Sequence, residues 1–259
     1  MITNDLNQEN QKVVLITGGG KGIGKGIALA FARLGARVAI GCNANPGMAE
    51  ETLTLLRQQT EAILIPADIG DPEQCSRLVQ ETTKTFGALD VLVCNAAIQT
   101  QHSLLESNVD TLNYVLRVNL RSALQLMNEA RPWLARSGAG RIILISSVHG
   151  KRATDFDAAY AISKGGMEML CREAAIAYGK DGITVNIIAP GGVKIEGKTG
   201  NPKSFSTRVI PNRRKPARYP LGRAGLPSDA AAVACFLAGT SAEHITGTTI
   251  RVDGGLVLL

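Results

Sequence analysis

Along the chain, short runs of Val and Ile alternate with longer stretches in which apolar residues return every three to four positions. Lys12 to Thr17 reads as a strand and Gly22 to Leu34 as a helix, and the pair then repeats. Arg37 to Cys42, Ala62 to Pro66, Leu89 to Cys94, Arg141 to Ser146, Thr184 to Ile188 and Thr248 to Val252 have strand character. Gly47 to Gln59, Pro72 to Phe86, Val109 to Arg136 and Asp157 to Tyr178 have helical period. Strands that are apolar throughout and separated by helices predict a parallel sheet buried on both faces, joined by right-handed crossovers. The expected fold is therefore α/β: a single doubly wound domain over residues 1–259, with a mostly parallel seven-stranded sheet and helices on both faces. Gly191 to Leu226, with four prolines, reads as an irregular excursion from it.

A chain of 259 residues can bury about three quarters of the surface it exposes when unfolded, enough for a core without disulfides or a structural metal. With 45% hydrophobic and 19% charged residues, disorder is excluded. The apolar runs Val13 to Ile16, Arg141 to Ile145 and Ala230 to Ala238 fall far short of the ~18 residues a bilayer demands. The N-terminal MITNDLNQENQK has no apolar centre. A soluble, cytoplasmic protein is expected. Cys42, Cys75, Cys94, Cys171 and Cys235 form no C-x-x-C pair and no cluster with histidine, which argues against a disulfide framework and a zinc site.

The net charge of +6 is uneven. Between Val193 and Arg223 nine cations face one anion, Glu196, so that segment carries +8 and the rest of the chain −2. For stacking on bases it offers only Phe205 and Tyr219, and it holds no recognisable binding motif, so nucleic acid is not an expected partner.

Candidate chemistry begins where the first strand ends. Thr17-Gly18-Gly19-Gly20-Lys21-Gly22-Ile23-Gly24 opens a helix, and glycines there let the backbone approach a pyrophosphate while free amides and the helix dipole attract it. Gly19 to Lys25 also satisfies the spacing of a nucleoside triphosphate loop, but Gly26 stands where a magnesium-holding Ser or Thr belongs. The second strand ends in Gly41-Cys42-Asn43-Ala44-Asn45, without the carboxylate that would bind ribose hydroxyls and repel a 2′-phosphate. With Lys21 and Asn43 nearby, NADP is favoured over NAD. A second constellation is Ser146-Ser147 at the end of a strand, followed by Tyr160 and Lys164, which share a helix face. An adjacent ammonium favours the phenolate and brings a phenol toward working pH.

These motifs, taken with Asp68-Ile69, Cys94-Asn95-Ala96-Ala97, Asn119, Pro190-Gly191 and the closing Gly247 to Gly255, resemble the short-chain dehydrogenase/reductase family over nearly the whole chain. The resemblance implies a Rossmann fold and hydride transfer between a nicotinamide and a ketone, aldehyde or alcohol. Tyr160 would be the acid-base residue, Ser147 would hold the carbonyl, Lys164 would tune the tyrosine and hold the ribose, and Asn119 would position a water in a proton relay. It also implies cofactor contacts from Gly18, Lys21, Gly22, Ile23, Gly24, Asn43, Asp68, Ile69, Asn95, Ala96, Ala97, Tyr160, Lys164, Pro190, Gly191 and Val193, and a homotetramer. The chain departs from the family at Cys94 and Ala97, where Asn and Gly are usual. It departs again at Ile195, where a carboxamide-binding Thr is common and which Thr199 or backbone amides could replace. The basic excursion resembles the family's mobile substrate lid. Lys151, Arg152 and that excursion point to an anionic substrate: a keto acid, a phosphorylated sugar or a carrier-borne 3-oxoacyl group. A neutral sugar, polyol or steroid, and a non-catalytic dinucleotide-binding protein, stay open as alternatives. His149 is a further candidate substrate contact.

Overall fold

The structure is a computed structural model that describes residues 11–43, 46–195 and 219–258. Its strands are β1 (Val13–Thr17), β2 (Arg37–Cys42), β3 (Ala62–Pro66), β4 (Val91–Cys94), β5 (Arg141–Ile145), β6 (Thr184–Pro190) and β7 (Thr249–Val252). They form one seven-stranded sheet in the order β3-β2-β1-β4-β5-β6-β7, and every pairing is parallel. β1 therefore has β2 on one side and β4 on the other. The winding reverses there, which leaves a crevice beyond the carboxyl ends of β1 and β4.

Helices α1 (Gly22–Arg33), α2 (Pro46–Arg57) and α7 (Pro227–Ala238) cover one face, while α3 (Pro72–Phe86), α5 (Ser122–Arg136) and α6 (Ala158–Gly179) cover the other. Alternate residues of β1 serve the two cores. Val14 and Ile16 belong to the cluster with Ile27 and Phe31, whereas Val13 and Leu15 belong to the one with Leu126 and Met167. This double burial is why the strands read as unbroken apolar runs, and each such Ile, Leu or Val contributes roughly 1.5–3 kcal/mol. Burial also pushes the Cys94 and Cys171 thiols up to about 12, which makes them inert core residues. Among the described residues no helix is long and apolar enough to cross a membrane.

One element differs from the sequence expectation, and one carries a run that the expectation left unassigned. The helix expected from Val109 to Arg136 is split into α4 (Val109–Leu116) and α5 by a π-helical turn, Arg117–Arg121, in which the Ser122 N–H reaches back five residues to the Arg117 carbonyl. One extra residue in the turn widens the helix, and the buried Asn119 sits inside it. The run Ala230 to Ala238 lies in helix α7, with Pro227 in its first turn. It packs on α1 at Gly26, where an added Cβ would lie 2.6 Å from the Pro227 Cβ. The position that a triphosphate loop would fill with a hydroxyl is thus occupied by a helix crossing.

Of the excursion over 191–226, residues 196–218 lie outside the described residues, and with them Thr199 and most of the cations; so do Ala44 and Asn45. At its described ends Val193 bridges Gly225 in parallel, and the Lys194 N–H donates to the Gly225 carbonyl at 2.9 Å.

Candidate active site

The crevice is built first around Thr17, the last residue of β1. Its hydroxyl accepts from the amides of Asn95 (3.0 Å) and Ala96 (3.1 Å), which join β1 to the end of β4 across the point where winding reverses. Asn95 returns the link: its Nδ2 donates to the carbonyls of Thr17 (2.9 Å) and Gly18 (3.1 Å). Gly18 takes φ +65°, and a Cβ on Gly24 would stand 2.2 Å from the Gly18 oxygen, so the turn and the start of α1 approach more closely than any side chain allows. Helix α1 begins without a side-chain cap and without an acidic residue in its first turn. Uncapped amides, a positive dipole end and a floor of glycine fit a pyrophosphate.

Lys21 is exposed at the N-cap of α1, Gly22 and Ile23 open the helix, and Asn43 is exposed at the end of β2. Asp68 and Ile69 follow β3; the Asp68 carboxylate accepts from the Gly70 amide at 2.8 Å. Ala97 is exposed beyond β4, and Pro190 closes β6. Gly191 is pinned through its amide to the Val252 carbonyl at 3.1 Å. Ile195 lies over the glycine turn, its Cδ1 3.2 Å from where a Gly22 Cβ would be. The position expected to offer a hydroxyl therefore offers a methyl to the start of α1.

At the ends of β5 and α6 the structure brings Ser147, Tyr160 and Lys164 together. Ser147 caps a short 3-10 turn, its hydroxyl accepting from the His149 amide at 3.2 Å, and that hydroxyl is also a polar neighbour of the Tyr160 phenol. Tyr160 is 9% exposed and Lys164 1%. The Lys164 Nζ donates to the Ile145 carbonyl at 2.7 Å and lies 5.5 Å from the centre of the Tyr160 ring. Burial in this position lowers the lysine to about 8. Burial also dominates the phenol and raises its pKa; the Ser147 hydroxyl opposes the rise and the Asp157 carboxylate adds to it. The expectation of a phenol brought down by its neighbouring ammonium thus omits the larger force, removal from water.

Asn119 is 1% exposed and fully engaged with the loop after β4. Its Oδ1 accepts from the Ile98 amide (2.9 Å), and its Nδ2 donates to the Ile98 carbonyl (3.0 Å) and to the Ser163 hydroxyl (3.1 Å). Ser163 in turn donates to the Tyr160 carbonyl at 2.7 Å. Sequence reasoning named Thr17 only as the first residue of the glycine motif, with no contact of its own, and did not single out Ser163 or Asp157 as parts of the site. Asp157 alone left a signal, an N-cap residue type three positions before Tyr160.

The cations expected at the mouth are partly spent. Lys151 stands 3.7 Å from the buried Glu168 carboxylate, and Arg223 makes a bidentate pair with Asp229 at 2.6 and 2.9 Å. His149 contacts the Arg152 carbonyl at 3.3 Å and meets the Phe156 ring edge-on at 5.5 Å. A cavity of about 460 Å³ opens beside Ser147, between Val148, Lys151, Glu168 and Arg251.

A family model described as Enoyl-(Acyl carrier protein) reductase matches residues 18–257. The chain belongs to the short-chain dehydrogenase/reductase family. Among its relatives are an L-rhamnose 1-dehydrogenase (NAD(P)(+)) of Sphingomonas sp., 34% identical, covering 95% of this chain and 96% of the relative, and versicolorin reductase 1 of Aspergillus parasiticus, 37% identical, covering 97% and 98%. A crystal structure of a putative short-chain alcohol dehydrogenase from Sinorhizobium meliloti superposes with a TM-score of 0.85 at 28% identity, over 95% of this chain and 96% of that one. Membership makes the protein an oxidoreductase, and the Rossmann-like fold expected from the sequence is the fold observed.

Proposed function

We propose that this short-chain dehydrogenase/reductase interconverts a ketone or aldehyde and the corresponding alcohol, with Tyr160 as the acid-base residue. The observation that carries the reading is the grouping of Ser147, Tyr160 and Lys164, all buried at the carboxyl ends of the strands, with the Lys164 Nζ 5.5 Å from the centre of the Tyr160 ring and the Ser147 hydroxyl beside the phenol. Two neighbouring hydroxyls would clamp a single carbonyl oxygen. The nicotinamide cofactor supplies the hydride; the protein orients it and handles the proton. Tyr160 donates that proton to the substrate oxygen during reduction and takes it back during oxidation. Ser147 holds the oxygen in place, Lys164 holds the ribose and favours the phenolate, and Asn119 fixes the wall past which water resupplies the proton.

The glycine turn would cradle the pyrophosphate, with Asp68 and Ile69 at the adenine and Asn95 to Ala97 along its ribose. Pro190, Gly191 and Val193 would flank the nicotinamide. Asn43 in place of a carboxylate, together with the exposed Lys21, supports NADP over NAD. The substrate reading divides. Lys151 and Arg152 favour an anion, but the pairing of Lys151 with Glu168 and of Arg223 with Asp229 favours a neutral substrate, a reading in keeping with a relative named for L-rhamnose. A matched panel of neutral and anionic ketones, assayed by nicotinamide absorbance with both coenzymes, decides among these. Absence of turnover on every member, with the dinucleotide bound, overturns the enzyme reading in favour of a dinucleotide-binding protein.

A homotetramer is part of the same proposal. An apolar cavity of about 880 Å³ lies on the outer face of α4, α5 and α6, bordered by Tyr114, Leu120, Leu124, Met169 and Leu170. Exposed apolar side chains gathered on one face support burial against a second copy. Light scattering of wild type beside Leu124→Lys tests it: a tetramer that the substitution dissociates is expected.

A further inference from the structure

Asp157 immediately precedes α6 and is fully buried. Its carboxylate accepts four hydrogen bonds. Oδ2 takes the amides of Thr100 (2.9 Å) and Gln101 (3.0 Å), and Oδ1 takes the Thr100 hydroxyl (3.2 Å) and the Tyr160 amide (3.2 Å). Only the bond to Tyr160 is a helix cap, for which a serine hydroxyl would serve as well. The other three grip the loop after β4. A carboxylate is costly to bury without partners, so this full set of donors marks a built junction. Beside it the Ala158 amide donates to the His102 carbonyl at 3.1 Å.

The loop held in this way is strained. Gln101, at φ +58°, is the one non-glycine residue with positive φ among the described residues, and its amide is one of those bound by Asp157. At its other end the loop is gripped by Asn119 through both polar groups of the Ile98 backbone. It starts at Asn95, which is tied to Thr17 and Gly18. Hydrogen bonds and a short stretch of chain therefore run from the dinucleotide turn to Tyr160, whose amide is held by Asp157 and whose carbonyl is held by Ser163.

We propose that Asp157 is a positioning residue: its carboxylate clamps the Thr100–Gln101 turn to the first turn of α6 and so sets where the Tyr160 phenol stands relative to the dinucleotide turn. The catalytic half of this statement rests on the function proposed above; the clamp itself does not.

The test is Asp157→Ser, which keeps an N-cap acceptor but lacks the second oxygen, with Asp157→Asn as the closer isostere. Hydrogen exchange read by mass spectrometry is expected to rise in the 98–102 segment while the glycine turn stays protected. NADPH affinity, read by fluorescence, is expected to stay within about twofold. On a carbonyl compound reduced by wild type, kcat is expected to fall by about tenfold or more with KM for the dinucleotide unchanged, since small displacements of a catalytic group cost that much. Gln101→Gly added to either variant is expected to restore part of kcat, because glycine holds a left-handed turn without the clamp. Unaltered exchange in 98–102, a kcat within about twofold of wild type, NADPH affinity lost in step with kcat, or failure of both variants to fold would each overturn the assignment. If wild type reduces nothing, the enzyme reading fails and exchange still decides the clamp.

Discussion

Lys164 stands one helical turn beyond Tyr160 with its Nζ 5.5 Å from the centre of the phenol ring, yet the hydrogen bond that amine makes is to the Ile145 carbonyl, at the end of the neighbouring strand. The lysine is thus docked to the sheet, and the tyrosine is aligned to the lysine by the helix they share. On the proposed function, these two buried titratable groups carry the chemistry.

Tyr160→Phe removes the proposed proton donor and leaves the ring in its packing. We expect NADPH to bind with little change and turnover to fall by ~10²–10⁴-fold, the usual worth of a positioned acid-base group. Fluorescence titration beside a nicotinamide absorbance assay checks both halves, and undiminished turnover would sink the role of Tyr160.

Lys164→Met tests the lysine through stability. With its pKa lowered by burial to about 8, folded Lys164 releases its proton at lower pH than the unfolded chain does. Its contribution to stability is therefore unfavourable and constant below pH ~8, and is relieved as pH rises from there toward the unfolded value of 10.5. Thermal melts of variant and wild type are expected to favour the variant most at pH 7, with the advantage shrinking toward pH 10. A pH-independent difference contradicts the burial account.

Gly24→Ala forces a methyl to within 2.2 Å of the Gly18 carbonyl, which is backbone and cannot rotate away. The glycine turn must open. A loss of ~1–3 kcal/mol, the overpacking range, together with a weaker hold on the dinucleotide, is expected from denaturant melts and NADPH titration.

Asn43→Asp places a carboxylate at the end of β2, where a 2′-phosphate would lie. Preference is expected to swing from NADP toward NAD, mostly through a higher KM for NADP. Measuring both coenzymes on both proteins checks it; a preference that does not move removes Asn43 from the site.

Much of this was legible in advance because the signals are local. Unbroken apolar strands between amphipathic helices dictate a sheet buried on two faces, glycines after β1 dictate a close backbone approach, and the spacing of Tyr160 and Lys164 dictates a shared face. The π turn was not legible, because α4 and α5 have ordinary helical period on either side, and the Asn119 inside it finds its partners, Ile98 and Ser163, only through folding. Nor was the neutralisation of Lys151 and Arg223, whose partners Glu168 and Asp229 reach them only through folding.

The amino-acid order alone determined the α/β class, the family and the candidate side chains at the strand ends, since period, turn residues and helix spacing act over a few positions. Folding in three dimensions decided the rest. It set how far Tyr160 and Lys164 shift from their ordinary pKa values, because desolvation depends on every neighbour. It also brought the loop at Gln101 under Asp157, 56 positions away, because a buried carboxylate collects its donors from whichever segments the sheet places beside it.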